Sequence, residues 1–182
     1  MTGRVSLVTG NPGKAAEYAA LLGLDVTAVV AELAEIQALD VAVVAARKAA
    51  DAFAQLGVPV LVDDTGLSVT GWNGLPGALV TWFLQTVGPA GILDLAAGLA
   101  DRRATVTTAL GYADGDGVRV FQGTVAGSLP AEPRGRNGFG YDAIFVPDGS
   151  DRTWAEMTSQ EKNQVSHRRL AVDAMRRGLG LA

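Results

Sequence analysis

Two adjacent carboxylates, Asp63 and Asp64, close the apolar run Val58-Pro-Val-Leu-Val62 and lead into Thr65-Gly66-Leu67. Carboxylates at the end of a buried strand are costly unless they meet a cation or hydrogen-bond donors, and a strand end opening into a glycine turn is where α/β proteins seat ligands. Side chains alternate across a strand, so the pair predicts one carboxylate facing a site and the other making hydrogen bonds behind it. A second chemical stretch lies near the amino end, where Val5-Ser-Leu-Val8 runs into Thr9-Gly10-Asn11-Pro12-Gly13-Lys14 and an Ala- and Leu-rich segment. Strand, tight turn and helix in that order offer free backbone N–H groups and the positive end of a helix to an anion, with Lys14 as a mobile cation. The turn is not a Walker A loop, because only Asn11 and Pro12 separate Gly10 from Gly13-Lys14, and Ala15 follows. In Pro133-Arg-Gly-Arg-Asn-Gly-Phe-Gly-Tyr-Asp142, glycines flank two rings, Phe139 and Tyr141, a composition that suits a nucleobase better than a sugar or a lipid. Near the carboxyl end stand Lys162, His167 and Arg168. On one straight helix Lys162 and Arg168 would lie about 120° apart around the axis. Ser166 is a good N-cap, so a helix break is expected there, turning His167 and Arg168 toward the space that Lys162 faces.

Composition narrows the chemistry. The 182 residues suit a single domain, 1–182, with apolar content enough for a core without covalent staples. There is no cysteine, so disulfides, thiolate metal sites and a cysteine nucleophile are excluded, and a metal must use oxygen ligands or the single His167. A net charge of −4 argues against a nucleic-acid or anionic-membrane surface, so an anionic ligand must be met by locally placed cations. No basic patch followed by a long apolar run marks a secretory signal. From Gly66 to Leu93 there is no charged residue, but glycines and prolines interrupt the stretch, which reads as buried loop and helix of a soluble cytoplasmic protein rather than a membrane span.

The elements that must position these residues alternate. Helical spacing follows the first turn to Leu22, with Gly23 as its stop, and Asp25 to Val30 reads as a second strand. An acidic connection carries Glu32 and Glu35 to a helix over Val41 to Leu56, where Lys48 falls beside the apolar stripe, either on the surface or directed into a site. After the Asp pair come a glycine-rich turn, a helix over Ala78 to Val87 with Trp82 and Phe83, and a further helix opened by Pro89. Alternation from Ala104 to Tyr112 and from Val118 to Val125 around an Asp/Gly turn predicts a hairpin, hence an α/β protein with a mixed rather than a purely parallel sheet. Ala143 to Val146 reads as a last strand, and Thr153 to Glu156 has capping-box spacing.

Taken in order, Thr9-Gly-Asn-x-Gly-Lys14, Asp63-Asp-Thr-Gly-Leu67, Gly138-Phe-Gly-Tyr-Asp-x-Ile-Phe145, Ala155-Glu-Met157, Glu161-Lys-Asn163 and Ser166-His-Arg168 resemble the inosine triphosphate pyrophosphatase family across essentially the whole chain. The resemblance implies a mixed, twisted sheet in two lobes with a central cleft, a homodimer, a Mg²⁺ requirement, and hydrolysis of inosine, deoxyinosine and xanthosine triphosphates to monophosphate and pyrophosphate. It implies that Thr9, Gly10, Asn11, Pro12, Gly13 and Lys14 cradle the triphosphate, with Lys48 as a second phosphate cation. It makes Asp64 the general base and a metal partner, with Thr65 beside it. Phe139, Gly140, Tyr141, Asp142, Lys162, His167 and Arg168 would hold base and sugar. Glu35 is the expected second metal ligand, and Glu32 is its rival. The related septum-formation pyrophosphatases, which act on thymidine or uridine triphosphates, are disfavoured by the Phe-Gly-Tyr-Asp and Ser-His-Arg motifs.

Overall fold

The structure is a computed structural model that describes residues 5–22 and 26–181. In chain order its elements are β1 (Val5–Val8), α1 (Pro12–Leu22), β2 (Val26–Val29), α2 (Val41–Leu56), β3 (Val60–Val69), β4 (Pro76–Gly77), α3 (Val80–Thr86), α4 (Gly88–Leu95), β5 (Arg103–Asp114), β6 (Gly117–Ser128), β7 (Val146–Pro147), α5 (Ser159–Val165) and α6 (His167–Leu179). Short 3-10 turns cover Thr70–Trp72, Asp142–Ile144 and Trp154–Glu156. The expected helix stop at Gly23 and strand start at Asp25 lie outside the described residues.

One mixed sheet runs in the order β2-β1-β3-β5-β6-β7, with β4 pairing to β3 off that path. β1 lies parallel to both β2 and β3, as strand–helix–strand units require, while β3, β5 and β6 are antiparallel neighbours. The hairpin is longer than its alternation alone predicts. Arg103 pairs with Ser128 at one end and Asp114 with Gly117 at the other, where the Asp114 carboxylate accepts the Asp116 N–H at 3.0 Å and fixes the turn.

The Asp pair does not end β3. The strand continues through it to Val69, because β5 pairs along its whole length from Val60 to Val69. The neighbour on the other side is what stops: β1 ends at Val8, opposite Val62, and β4 begins only opposite Leu67 and Ser68. Asp63 to Gly66 therefore face a gap in the sheet.

Separate cores lie on either side of that gap. On the β1 side, Leu61 packs with Leu7, Tyr18 and Met175 on one face, and Val60 and Val62 with Ala49 and Ala52 on the other. Beyond the gap, Leu67 and Val69 join Ile92, Phe145 and Trp154. The two cores are the two lobes, one sheet passes through both, and the cleft opens between them.

Three local expectations change. Ala143 to Val146 is not a strand: the chain turns through Asp142–Ile144, with the Ile144 N–H on the Tyr141 carbonyl at 3.0 Å, and only Val146–Pro147 pairs with β6. α3 is shorter than its pattern, and its rings divide, since Phe83 packs against the core beyond the gap while Trp82 stays 58% exposed. The break at Ser166 is present: its backbone is extended, and its hydroxyl accepts the Arg169 N–H to open α6. No helix among the described residues is long and apolar enough to cross a membrane.

Candidate active site

The cleft holds a cavity of about 470 Å³ whose wall draws on both lobes. The turn after β1 is tied together by its own hydrogen bonds. Asn11 donates its N–H to the Thr9 hydroxyl at 3.1 Å, and its side-chain oxygen accepts the N–H groups of Gly13 at 2.9 Å and Lys14 at 3.2 Å. The helix-start donors expected to be free for an anion are thus already capped by Asn11. What the turn offers the cavity is Thr9, Gly10, Asn11 and the Lys14 ammonium, while Pro12 and Gly13 stand behind them. Gly13 has a packing role, since a Cβ there would lie 2.7 Å from the Phe139 ring, so its lack of a side chain lets the turn and the aromatic loop close together.

Both residues of the pair border the cavity, and alternation along the strand sends their carboxylates to opposite faces: Asp63, its side chain only 1% exposed, to Lys14 of α1 and Arg168 of α6, and Asp64 to Lys48 of α2. On its own face, each carboxylate meets its own cations. Asp63 meets Lys14 at 3.0 Å and Arg168 at 3.5 Å. Burial pushes its carboxyl up, but the two cations outweigh that and hold it below the ordinary value. Asp64 accepts from Lys48 at 2.9 Å through Oδ1, while its buried Oδ2 has no hydrogen-bond partner among the described residues. For Asp64 burial prevails over Lys48, so its carboxyl sits above the ordinary value and is the better proton acceptor of the two. Lys48, projecting from the edge of the α2 stripe, also donates to Glu35 at 2.8 Å. Glu35 lines the cavity and Glu32 does not; the Glu32 carbonyl accepts from Gln55 on α2.

Packed against the turn after β1, Phe139, Gly140, Tyr141 and Asp142 form another part of the wall. Asp142 curls back to accept the Phe139 N–H at 2.9 Å, around Gly138 at a φ of 73° that favours glycine. Lys162 and His167 are brought to this loop but stay out of the cavity wall. Lys162 is buried behind it, donating to Asp142 at 2.6 Å and to Glu17 at 2.8 Å, with its ammonium 5.0 Å from the centre of the Phe139 ring. His167 is fully buried, stacked on Trp154 at 4.8 Å, with Nε2 3.3 Å from the Tyr141 hydroxyl. Arg168 does reach the wall, and its Nε is a buried donor with no hydrogen-bond partner among the described residues. The break at Ser166 lets Lys162 and Arg168 share one partner, since they occupy the two oxygens of Glu17.

The Ham1 family pattern matches residues 5–178. The chain belongs to the Ham1 family. It is 43% identical over 175 residues to the dITP/XTP pyrophosphatase of Pyrobaculum aerophilum, covering 94% of each chain. It is 41% identical over 177 residues to inosine triphosphate pyrophosphatase 2 of Trypanosoma cruzi, covering 95% of this chain and 90% of that one. The solved HAM1 protein of Coxiella burnetii superposes with a TM-score of 0.84 at 30% identity, over 98% of this chain and 99% of that one.

Residue types alone did not single out every part of this Ham1-family site. Glu17 went unnoticed because its partners are 145 and 151 residues away, and its only local signal is a position one helical turn after Lys14. Thr81, Leu84 and Gln85 of α3 also line the cavity, and their signal is the charge-free stretch in which they lie. Among the described residues no cluster of three or more His, Cys, Asp or Glu is arranged to hold a metal. The Ham1-family cavity does contain two carboxylates, Glu35 and Asp64, converging on one cation, the Lys48 ammonium, with Asp64 Oδ2 beside it unpaired. Such an oxygen set fits a hard divalent ion that completes its shell with water and phosphate oxygens.

Proposed function

We propose that this protein hydrolyses ITP, dITP and XTP to the monophosphate and pyrophosphate, using Mg²⁺, and so removes deaminated purines from the cytoplasmic nucleotide pool. The observation that carries the reading is one cavity that joins the glycine-flanked loop of Phe139 and Tyr141 to the turn bearing Lys14 and to Asp64 with an unengaged oxygen. The family's activities, named in the relatives above, support it.

The residues divide the work. Phe139, half-buried in the wall, gives a flat face to a purine, while Tyr141 is packed in the core behind it beside His167. Lys14 and Lys48 line the same cavity, and they would offset the charge that builds on the departing pyrophosphate. Asp64, the carboxylate of the pair that burial makes the better proton acceptor, takes the proton of the water that attacks the α-phosphorus. Glu35 and Asp64 would hold Mg²⁺, which supplies charge neutralisation and orients a water. Arg168, held against Asp63 and Glu17, borders the base end of the cavity. A 6-oxo purine presents an acceptor where adenine presents an amine, so donors lining this pocket stay unpaired opposite adenine.

The test is pyrophosphate release across ITP, dITP, XTP, ATP, GTP, dTTP and UTP, with and without Mg²⁺. The expected result is a preference of about 10² or more in kcat/KM for the first three over ATP, alike for ribose and deoxyribose and lost without the metal. Comparable values for ATP and ITP would overturn the reading, and a preference for dTTP or UTP would move the protein to the septum-formation activity.

A further inference from the structure

We propose that Lys48 is a stand-in for the metal: in the metal-free protein its ammonium holds Glu35 and Asp64 together, and a divalent cation must displace it to bind. The proposal rests on the reading of Glu35 and Asp64 as the metal carboxylates. Lys48 Nζ lies 2.8 Å from Glu35 and 2.9 Å from Asp64, both charge-assisted distances, and it ties together three segments: α2, β3 and the connection between β2 and α2. Among the described residues Glu35 has no other hydrogen bond. Its connection is otherwise anchored at Glu32, whose carbonyl meets Gln55, and at Leu39, whose carbonyl meets the Ala78 N–H. Without Lys48, Glu35 would be a solvated carboxylate on a loop.

The other cations of the cleft do not share this geometry. Lys14 is spent on Asp63, and Arg168 on Glu17 and Asp63. Lys162 also sits between two carboxylates, but that pair is sealed behind the aromatic loop, whereas Glu35 and Asp64 open on the cavity. Ammonium and metal therefore compete for the same oxygens. The free protein binds a divalent ion weakly, and once displaced, Lys48 can swing on its flexible stem toward phosphate oxygens. Metal and nucleotide then favour each other's binding, and by linkage to the same degree.

The experiment is Mn²⁺ binding, without nucleotide, to the wild type and to Lys48→Gln, Lys48→Met and Lys14→Gln, followed by titration calorimetry or by the resonance signal of free Mn²⁺. Removing the competing charge at Lys48 should tighten Mn²⁺ by about tenfold or more, while Lys14→Gln, which removes the same charge from Asp63, should change it by no more than about threefold. Lys48→Met keeps the apolar stem, so a packing loss specific to glutamine cannot decide the result. Amide exchange over residues 30–39 should be faster in the Lys48 variants without metal and return toward wild-type protection with Mn²⁺. Unchanged Mn²⁺ affinity in both Lys48 variants, or an equal gain in Lys14→Gln, would overturn the proposal. Wild-type ITP hydrolysis tests the activity itself, so an active enzyme with unchanged Mn²⁺ affinity in its Lys48 variants would fail this inference and leave the activity standing.

Discussion

Asp63 and Asp64 differ by one position in sequence and by their cations in space, and the difference assigns them separate duties. Each has a buried Oδ2 with no hydrogen-bond partner among the described residues, but the Asp64 carboxyl is raised by burial, while Asp63 is held ionised by Lys14 and Arg168 and orients both. Asp64→Asn keeps the size and removes the proton acceptor, so kcat for ITP should fall by about 10² or more with KM little changed. Asp63→Asn loosens Lys14 and Arg168, so its main effect should be a rise in KM of about tenfold. Steady-state ITP hydrolysis by the two variants checks the division, and a near-wild-type kcat for Asp64→Asn beside an inactive Asp63→Asn would reverse it. At this scale the sequence is informative where chemistry is local. Paired carboxylates after an apolar run are visible in one line of text, and so is a glycine turn with a lysine. That the strand runs on past the pair was not visible, because it depends on β5, which pairs along the whole of β3 from far along the chain.

Helix α6 shows how an element sets the state of a side chain. Its first residue, His167, is fully buried against Trp154 and the Tyr141 hydroxyl, with the cations of Arg168, Lys162 and Lys14 nearby. Burial first, and then those cations, push the imidazole well below its ordinary value of 6.5. The folded chain therefore binds the proton less readily than the unfolded chain. This contribution is fully present above about pH 6.5 and is lost as pH falls from there toward the depressed value. Between pH 7.5 and 5.5 the wild type should lose about 1 kcal/mol more stability than His167→Gln, measured by denaturant unfolding at both values. Equal losses would mean that the imidazole is protonated in the fold. The break that places His167 was legible, because Ser166 is a good cap and a straight helix separates Lys162 from Arg168. The residues from Ala143 to Val146 were not, because their apolar character reflects burial rather than strand pairing, and the Asp142 carboxylate, held by Lys162 and the Phe139 N–H, turns the chain instead.

Across the whole molecule, the one sheet gives the site its opening, and the charge-free stretch gives the molecule an outer face. In that stretch Phe83 turns inward while Trp82 stays 58% exposed, beside a shallow depression lined by Ile36, Ala38 and Leu79. Glu35 lines both this depression and the main cavity, so the face adjoins the site. We expect a second copy of the chain to cover it, since aromatic anchors in apolar depressions are where subunit contacts concentrate their energy. Two-fold contact would bring both α3 helices to one interface, which for a stable pair buries about 800 Å² on each partner. Trp82 is largely exposed, so replacing it should separate subunits without opening either core. Trp82→Asp should therefore behave as a monomer by light scattering at about 10 μM, where the wild type should be a dimer, with its melting transition still cooperative. A monomeric wild type at that concentration, or a variant that stays dimeric, would rule this face out as the subunit contact.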